Sequence, residues 1–167
     1  MNRASVCLAL VVFACTLHAQ ATSQNRQPAA VQPDFSGDSN AAPAVSEQDI
    51  RIVQRARNIL SSPDKWNRAD NRNCPETATT FSLYCALEKA TAEITGGFQH
   101  RGAAMQQARF VIDEQLAKGN HYEHRLMNYN NDPKTTFADT RKFWDLLEQR
   151  IRSQLEEGKT AQPAHTK

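Results

Sequence analysis

Glycine is scarce, six residues in 167, and none of the six sits in the spacing of a Gly-rich phosphate loop. A nucleophile elbow is also missing, so the sequence offers no anchor for a nucleotide-cradling or α/β-hydrolase reading. Four cysteines are too few and too scattered to make a zinc or iron–sulfur cluster. Charge of one sign is lacking as well: 20 Lys and Arg stand against 18 Asp and Glu, a formal net charge of +2. That excess falls to about +1 if Arg3 is lost with an N-terminal signal. A chain so near balance, with no Lys/Arg block, has no general attraction for nucleic acid or an acidic membrane surface. No segment alternates as a strand would, and no internal repeat is visible.

The first two dozen residues differ from the rest. Arg3 is the only charge ahead of an almost unbroken apolar run over residues 4–17. Fourteen residues fall short of the roughly 20 that span a bilayer, and they suit the apolar region of a signal peptide. Ala19-Gln20-Ala21 supplies the small-x-small pattern read by signal peptidase, so residues 1–21 are expected to be removed. A retained anchor and lipoprotein processing at Cys15, within Val12-Phe13-Ala14-Cys15, are the competing readings. The expected location is therefore the periplasm or the cell exterior, with no stable membrane span in the mature chain.

Residues 22–45 are rich in Gln, Ala, Pro, Ser and Asn, with Phe35 the single aromatic, and cannot bury enough apolar surface to offset their ordering entropy. They read as a disordered tether, and residues 158–167 as a disordered tail. Between them, residues 46–157 carry four long helical patterns. The first opens at Ser46 with Asp49 completing an approximate capping box, repeats Ile52, Val53, Ala56, Ile59 and Leu60, and stops at Ser61-Ser62-Pro63. The second is expected over residues 75–95, ending at Gly96-Gly97. The third covers residues 102–118 with Gly119 just beyond it, and the fourth runs from Thr135 or Thr136 to about Glu157. A short helix fits between the third and fourth, with Asn120 as cap and Tyr122, Leu126 and Tyr129 on one face. One apolar stripe per helix is what packing around a single core requires. The expectation is an all-α domain, a single small bundle of four main helices plus one short one.

Signal removal leaves Cys74 and Cys85. An even pair in an oxidising compartment points to a disulfide, but Asn73-Cys74-Pro75-Glu76 also looks like a helix start. One straight helix through Cys85 would hold the two Cα atoms roughly 16 Å apart, beyond the 7 Å or so a disulfide tolerates. Either the helix begins nearer Thr80 and the Cys74 segment folds back, or the thiols stay reduced. Cys85 lies on a packing face, where a thiol is inert as a nucleophile.

His121 and His124, three apart, could present two imidazoles to one zinc ion. The third ligand would come from His100, Asp113 or Glu114. The competing reading places both on the wet side of a short helix. Tyr129, Asn130, Asn131 and Asp132, ahead of Pro133, concentrate polar side chains that either grip a ligand or bond the open backbone of a turn. Trp66 is either a recognition aromatic or a lid over the end of the core. The arginines at 51, 55, 141, 150 and 152 and Lys142 read as solvated faces.

Two stretches resemble a bacterial family known only as a domain of unknown function. Ile59-Leu60-Ser61-Ser62-Pro63-Asp64-Lys65-Trp66 and Phe81-Ser82-Leu83-Tyr84-Cys85-Ala86-Leu87 are similar to its "leucine, Asp-Pro, Trp" segment and its aromatic-Cys-x-x-Gly-Ala-Leu helix. Tyr129-Asn130-Asn131-Asp132-Pro133-Lys134-Thr135-Thr136 resembles its Trp-Asn-Asp-x-Pro-x-x-Thr, which precedes a last helix. Ser82 replaces Cys, Cys85 replaces Gly, Tyr129 replaces Trp and Asn131 replaces Asp. The last exchange removes a carboxylate from that segment. The resemblance implies a small helical fold and brings no reaction, substrate or cofactor.

Function is then expected to be that of a non-enzymatic interaction module, without cofactor, meeting a protein partner of the envelope or exterior; an inhibitor or immunity-type protein is one special case. The alternative is a small metal-dependent hydrolase built on His121 and His124.

Overall fold

The computed structural model describes residues 43–160; the signal segment, Cys15, the tether up to residue 42 and residues 161–167 lie outside it. Its described residues form five helices and no strand, the all-α class expected. Helix α1 (Glu47–Ile59) starts where Ser46 turns out of extended backbone. The Ser46 amide and hydroxyl both donate to Asp49 Oδ2 at 2.8 Å. The other oxygen of Asp49 accepts the Ala104 amide at 3.0 Å. One buried carboxylate thus caps α1 and satisfies an unpaired N–H at the start of α3 (Ala103–Val111).

Helix α2 (Leu83–Thr95) is capped by Ser82, whose Oγ accepts the Cys85 amide at 3.1 Å, and it ends at Gly96 with φ +80°. It begins eight residues later than the pattern over residues 75–95 predicts. Cys74 and Cys85 explain the difference, because they stand at disulfide distance with Cα atoms 5.3 Å apart. The Cys74 segment folds back across the first turn, which a helix running through Pro75 could not do.

Helix α3 runs into a π turn (Ile112–Leu116), where the Ala117 amide reaches back five residues to the Ile112 carbonyl at 2.8 Å. The chain then leaves through Lys118 (φ +47°) and Gly119 (φ +85°), the glycine taking the left-handed conformation it adopts without steric penalty. The short α4 (Arg125–Asn131) starts at His124, not at Asn120, and reaches to Asn131. So Tyr129 lies on the short helix as expected, while Asn130 and Asn131, read from sequence as bonding a turn, belong to its last turn. Helix α5 (Phe137–Thr160) is capped by a Thr136–Asp139 box, each residue bonding the other's backbone. It continues through Gly158, expected as the stop. That glycine is exposed and nothing lies within 4 Å of a Cβ built on it. An isolated exposed glycine costs a helix only about 1 kcal/mol, so the preceding turns carry it.

α1 packs on α2 and α5, and α3 packs on α5. Val53 and Ala56 of α1, Leu83 and Leu87 of α2, Ala108 and Val111 of α3, and Phe143, Trp144, Leu147 and Ile151 of α5 are fully buried. The Phe143 and Trp144 rings meet edge-on with centroids 4.7 Å apart. No helix among the described residues is long and apolar enough to cross a membrane.

The connection from α1 to α2 has to cross one end of this core without regular structure. A 3₁₀ turn (Pro63–Lys65) starts it, and a single parallel bridge pairs Trp66 with Phe81 through Phe81 N–H to Lys65 O (2.7 Å) and Asn67 N–H to Phe81 O (3.0 Å). The cysteine pair closes an eleven-residue separation inside the same connection. Loop-closure entropy gives a cross-link of that size about 2–4 kcal/mol. Reduction, or Cys85→Ser, is expected to lower the urea-unfolding free energy by that amount. Superimposed unfolding curves with and without reductant would show that the thiols are not joined in solution.

Candidate functional site

Trp66 and the residues at 129–132 come together. Asn130 is fully buried, and its carboxamide uses both ends. Oδ1 accepts the Trp66 indole N–H at 2.9 Å and the Leu83 amide at 3.1 Å. Nδ2 donates to the Asn67 carbonyl at 2.9 Å and to Asn131 Oδ1 at 3.0 Å. Asn131 then docks the neighbouring backbone, accepting Asp70 N–H and donating to Asp70 O, both at 2.8 Å. A carboxylate at 131 could only accept, so the Asn found here makes a contact that an Asp could not. Asp132 accepts the Lys134 amide (2.9 Å) and the Tyr122 hydroxyl (3.0 Å), and those bonds, in that order, lower its pKa. Tyr129 is buried, which holds its phenol protonated, and its carbonyl accepts Thr135 Oγ1 at 2.8 Å. Trp66 lies between the Arg68 guanidinium, 4.9 Å from its ring centroid, and Phe137 at 6.2 Å. Arg68 also donates to the carbonyls of Asp132, Pro133 and Thr135. Apart from Asp70 Oδ2, which is buried without a partner, the polar atoms in this cluster bond one another, so the cluster acts as a clamp between α4 and the crossing connection.

The two candidate zinc ligands separate. His121 is exposed on the stretch before α4, while His124 lies half-buried in the wall of a cleft. Of the carboxylates available to them, Asp113 is 2.6 Å from Arg125 and Glu114 is 2.6 Å from Arg150. Among the described residues, no group of three His, Cys, Asp or Glu side chains could hold a metal ion.

The cleft itself is a feature the sequence reading missed. It is a cavity of about 370 Å³ bounded by Arg72 from the crossing connection, Tyr84 of α2, His100 and Arg101 between α2 and α3, Arg109 and Phe110 of α3, Asp113 of the π turn, and residues 123–127. Four arginines face two carboxylates, Asp113 and Glu123. Arg125 is paired with Asp113. Among the described residues no carboxylate stands at ion-pair distance from Arg72, Arg101 or Arg109. Arg72 and Arg101 are exposed, whereas Arg109 is half-buried. Its Nη1 donates to Gln106 Oε1 at 2.7 Å and its Nη2 to His100 Nε2 at 3.0 Å. Burial, and then the charges of Arg125 and Arg101, lower its pKa, yet a guanidinium keeps its proton at any ordinary pH. Three of its five N–H groups remain for something else.

A guanidinium has only donors, so His100 Nε2 must be the acceptor and the ring proton sits on Nδ1, 3.4 Å from the Tyr84 hydroxyl. Burial lowers the His100 pKa from 6.5, and the charges of Arg109, Arg72 and Arg101 lower it further. A depressed histidine contributes stability that is complete above about pH 6.5 and is lost as pH falls through the folded value. Phe98 packs edge-on to both His100 (6.2 Å) and Tyr84 (5.9 Å), holding the three rings as one support under Arg109.

Arg72 takes φ +61°, uncommon for a side chain with a Cβ, and Asp70 Oδ1 accepts its amide at 2.7 Å. No local pattern announces this convergence. Arg109 and Asp113 are four apart and would pair on a regular helix, but Asp113 lies in the π turn and joins Arg125 instead. The only hint in the sequence is a cation beside a histidine twice, at His100-Arg101 and His124-Arg125.

Residues 44–150 match the model of a family of unknown function (DUF6197). The chain belongs to this family. No curated protein and no solved structure matches it. The match covers the clamp and every wall of the cleft, so both lie within the part that defines the family. It assigns neither of them a role. The clamp's own role is testable. Asn130→Ala strands the buried Leu83 amide and the half-buried Trp66 indole N–H, and an unsatisfied buried donor costs about 1–3 kcal/mol. A loss of about 3 kcal/mol in urea-unfolding free energy is expected. A loss within the 0.5 kcal/mol or so typical of surface substitutions would rule the clamp out.

Proposed function

We propose that this chain is a non-enzymatic binding module, exported from the cytoplasm, whose arginine cleft captures an anionic group of its ligand or partner. The observation that carries the reading is Arg109. It is a half-buried guanidinium, fixed by Gln106 and His100, beside two further arginines that lack a carboxylate partner among the described residues. Charge removed from water in this way is costly unless an opposite charge compensates it. An anion from outside would supply that charge and bond donors that are already oriented, so little ordering is left for binding to impose. Capture suits this wall because four of its side chains are arginines, two of which, Arg109 and Arg125, are held by other side chains.

Titrating the mature protein at low ionic strength with phosphate, sulfate and simple carboxylates should produce NMR shifts centred on His100, Arg109 and Tyr84. The His100 midpoint should lie below 6.5 in the free protein and rise when an anion is bound, because the anion stabilises the imidazolium. Arg109→Gln should weaken binding at least about tenfold, the scale of one charge-assisted hydrogen bond. Shifts spread evenly over the surface, or binding untouched by Arg109→Gln, would refute the reading.

Export is supported by Arg3, the apolar run over residues 4–17 and Ala19-Gln20-Ala21. Protein recovered from the envelope or medium should begin at Thr22. Recovery from the cytoplasm with the first 21 residues intact would remove export from the proposal.

A further inference from the structure

Resting on the anion-capture reading, we infer that the ligand of the cleft is a small organic phosphomonoester with an apolar or aromatic body. Three features of the cavity point to this class.

The first is charge. Four arginines and two carboxylates leave an excess of two positive charges around one cavity. A carboxylate ligand would bring one negative charge and leave the remaining guanidiniums repelling one another. A phosphomonoester carries about −1.5 to −2 near pH 7 and comes close to neutralising the excess.

The second is the distribution of donors. Arg72 comes from the crossing connection, Arg101 and Arg109 from the start and middle of the α3 region, and Arg125 from α4 on the far side. A planar carboxylate is matched by a single guanidinium fork. Donors on separate elements suit a group whose three free oxygens diverge, as those of a phosphomonoester do.

The third is size and lining. About 370 Å³ falls in the range of cavities that hold small organic ligands. Tyr84, Phe110, Leu126 and Met127 form an apolar part of the wall. Inorganic phosphate would leave that surface wet, whereas an organic body would cover it and gain the free energy of apolar burial.

Phenyl phosphate, inorganic phosphate and benzoate can be compared by calorimetry on the mature chain at matched low ionic strength. Phenyl phosphate should bind at least tenfold more tightly than either of the others. Arg101→Gln and Arg72→Gln change exposed side chains, and unchanged thermal midpoints would confirm their folding. Each should weaken phenyl phosphate about tenfold and benzoate much less. If benzoate binds as well as phenyl phosphate, the phosphate class is wrong while anion capture stands. If inorganic phosphate matches phenyl phosphate, the organic body is wrong. If none of the three binds, the inference falls together with the reading beneath it.

Discussion

The carboxamide of Asn130 is the contact on which the arrangement of this protein turns. It is fully buried, it is the last turn of a helix only seven residues long, and its two ends hold Trp66, Asn67 and the first amide of α2. A buried amide is costly when unpaired and specific when paired, because its donor and acceptor ends cannot be exchanged. That polarity fixes the register of a connection that has almost no secondary structure of its own. Asn131 extends the grip to Asp70, and Asp70 in turn holds the amide of Arg72. A clamp at one end of the core therefore sets the position of a cation in the cleft.

The connection carries three unlike restraints, the bridge at Trp66 and Phe81, the cysteine pair and the asparagine clamp. Each acts over a different stretch, and together they leave little of the connection free to take other shapes. Long loops in small domains are either ordered for a purpose or left loose. This one is ordered, and its ordered course brings Arg72 to the cavity in an uncommon backbone conformation. Strain of that kind persists only where surrounding contacts over-determine it, and Asp70 and the cysteine pair supply such contacts on either side.

Legibility of the sequence followed the range of the forces involved. The α1 cap, the Gly96 and Gly119 ends and the stripe of α5 were readable because capping and periodicity act within a few residues. The late start of α2 was not, because a cross-link eleven residues long overrode a plausible local cap at Asn73. The short helix was misplaced for a similar reason: Asn120 has the chemistry of a cap, but Gly119 and Lys118 turn the chain away before a helix can form there. Trp66 and the 129–132 stretch stood out in the sequence, and the fold brings them together. Composition could not say whether their polar groups face a ligand or each other, since that depends on what the fold brings opposite them. The cleft was invisible because its arginines lie at 72, 101, 109 and 125, joined only by tertiary contacts and by a π turn that redirects Asp113.

The near-neutral composition also conceals how charge is arranged. The chain's whole formal excess is +2, and the cleft by itself carries an excess of the same sign and size. Elsewhere four arginines are matched, Arg55 with Glu93, Arg57 with Asp145 and Glu148, Arg150 with Glu114, and Arg152 with Glu148, while Arg51, Arg68 and Arg141 stand singly on separate parts of the described surface. Exposed pairs of this kind contribute little stability each. Their larger effect is on the field, which each pair cancels locally, whereas the cleft gathers four arginines and two carboxylates in one concave place. A low net charge therefore argues against binding long polyanions and is consistent with a focused site for a small one.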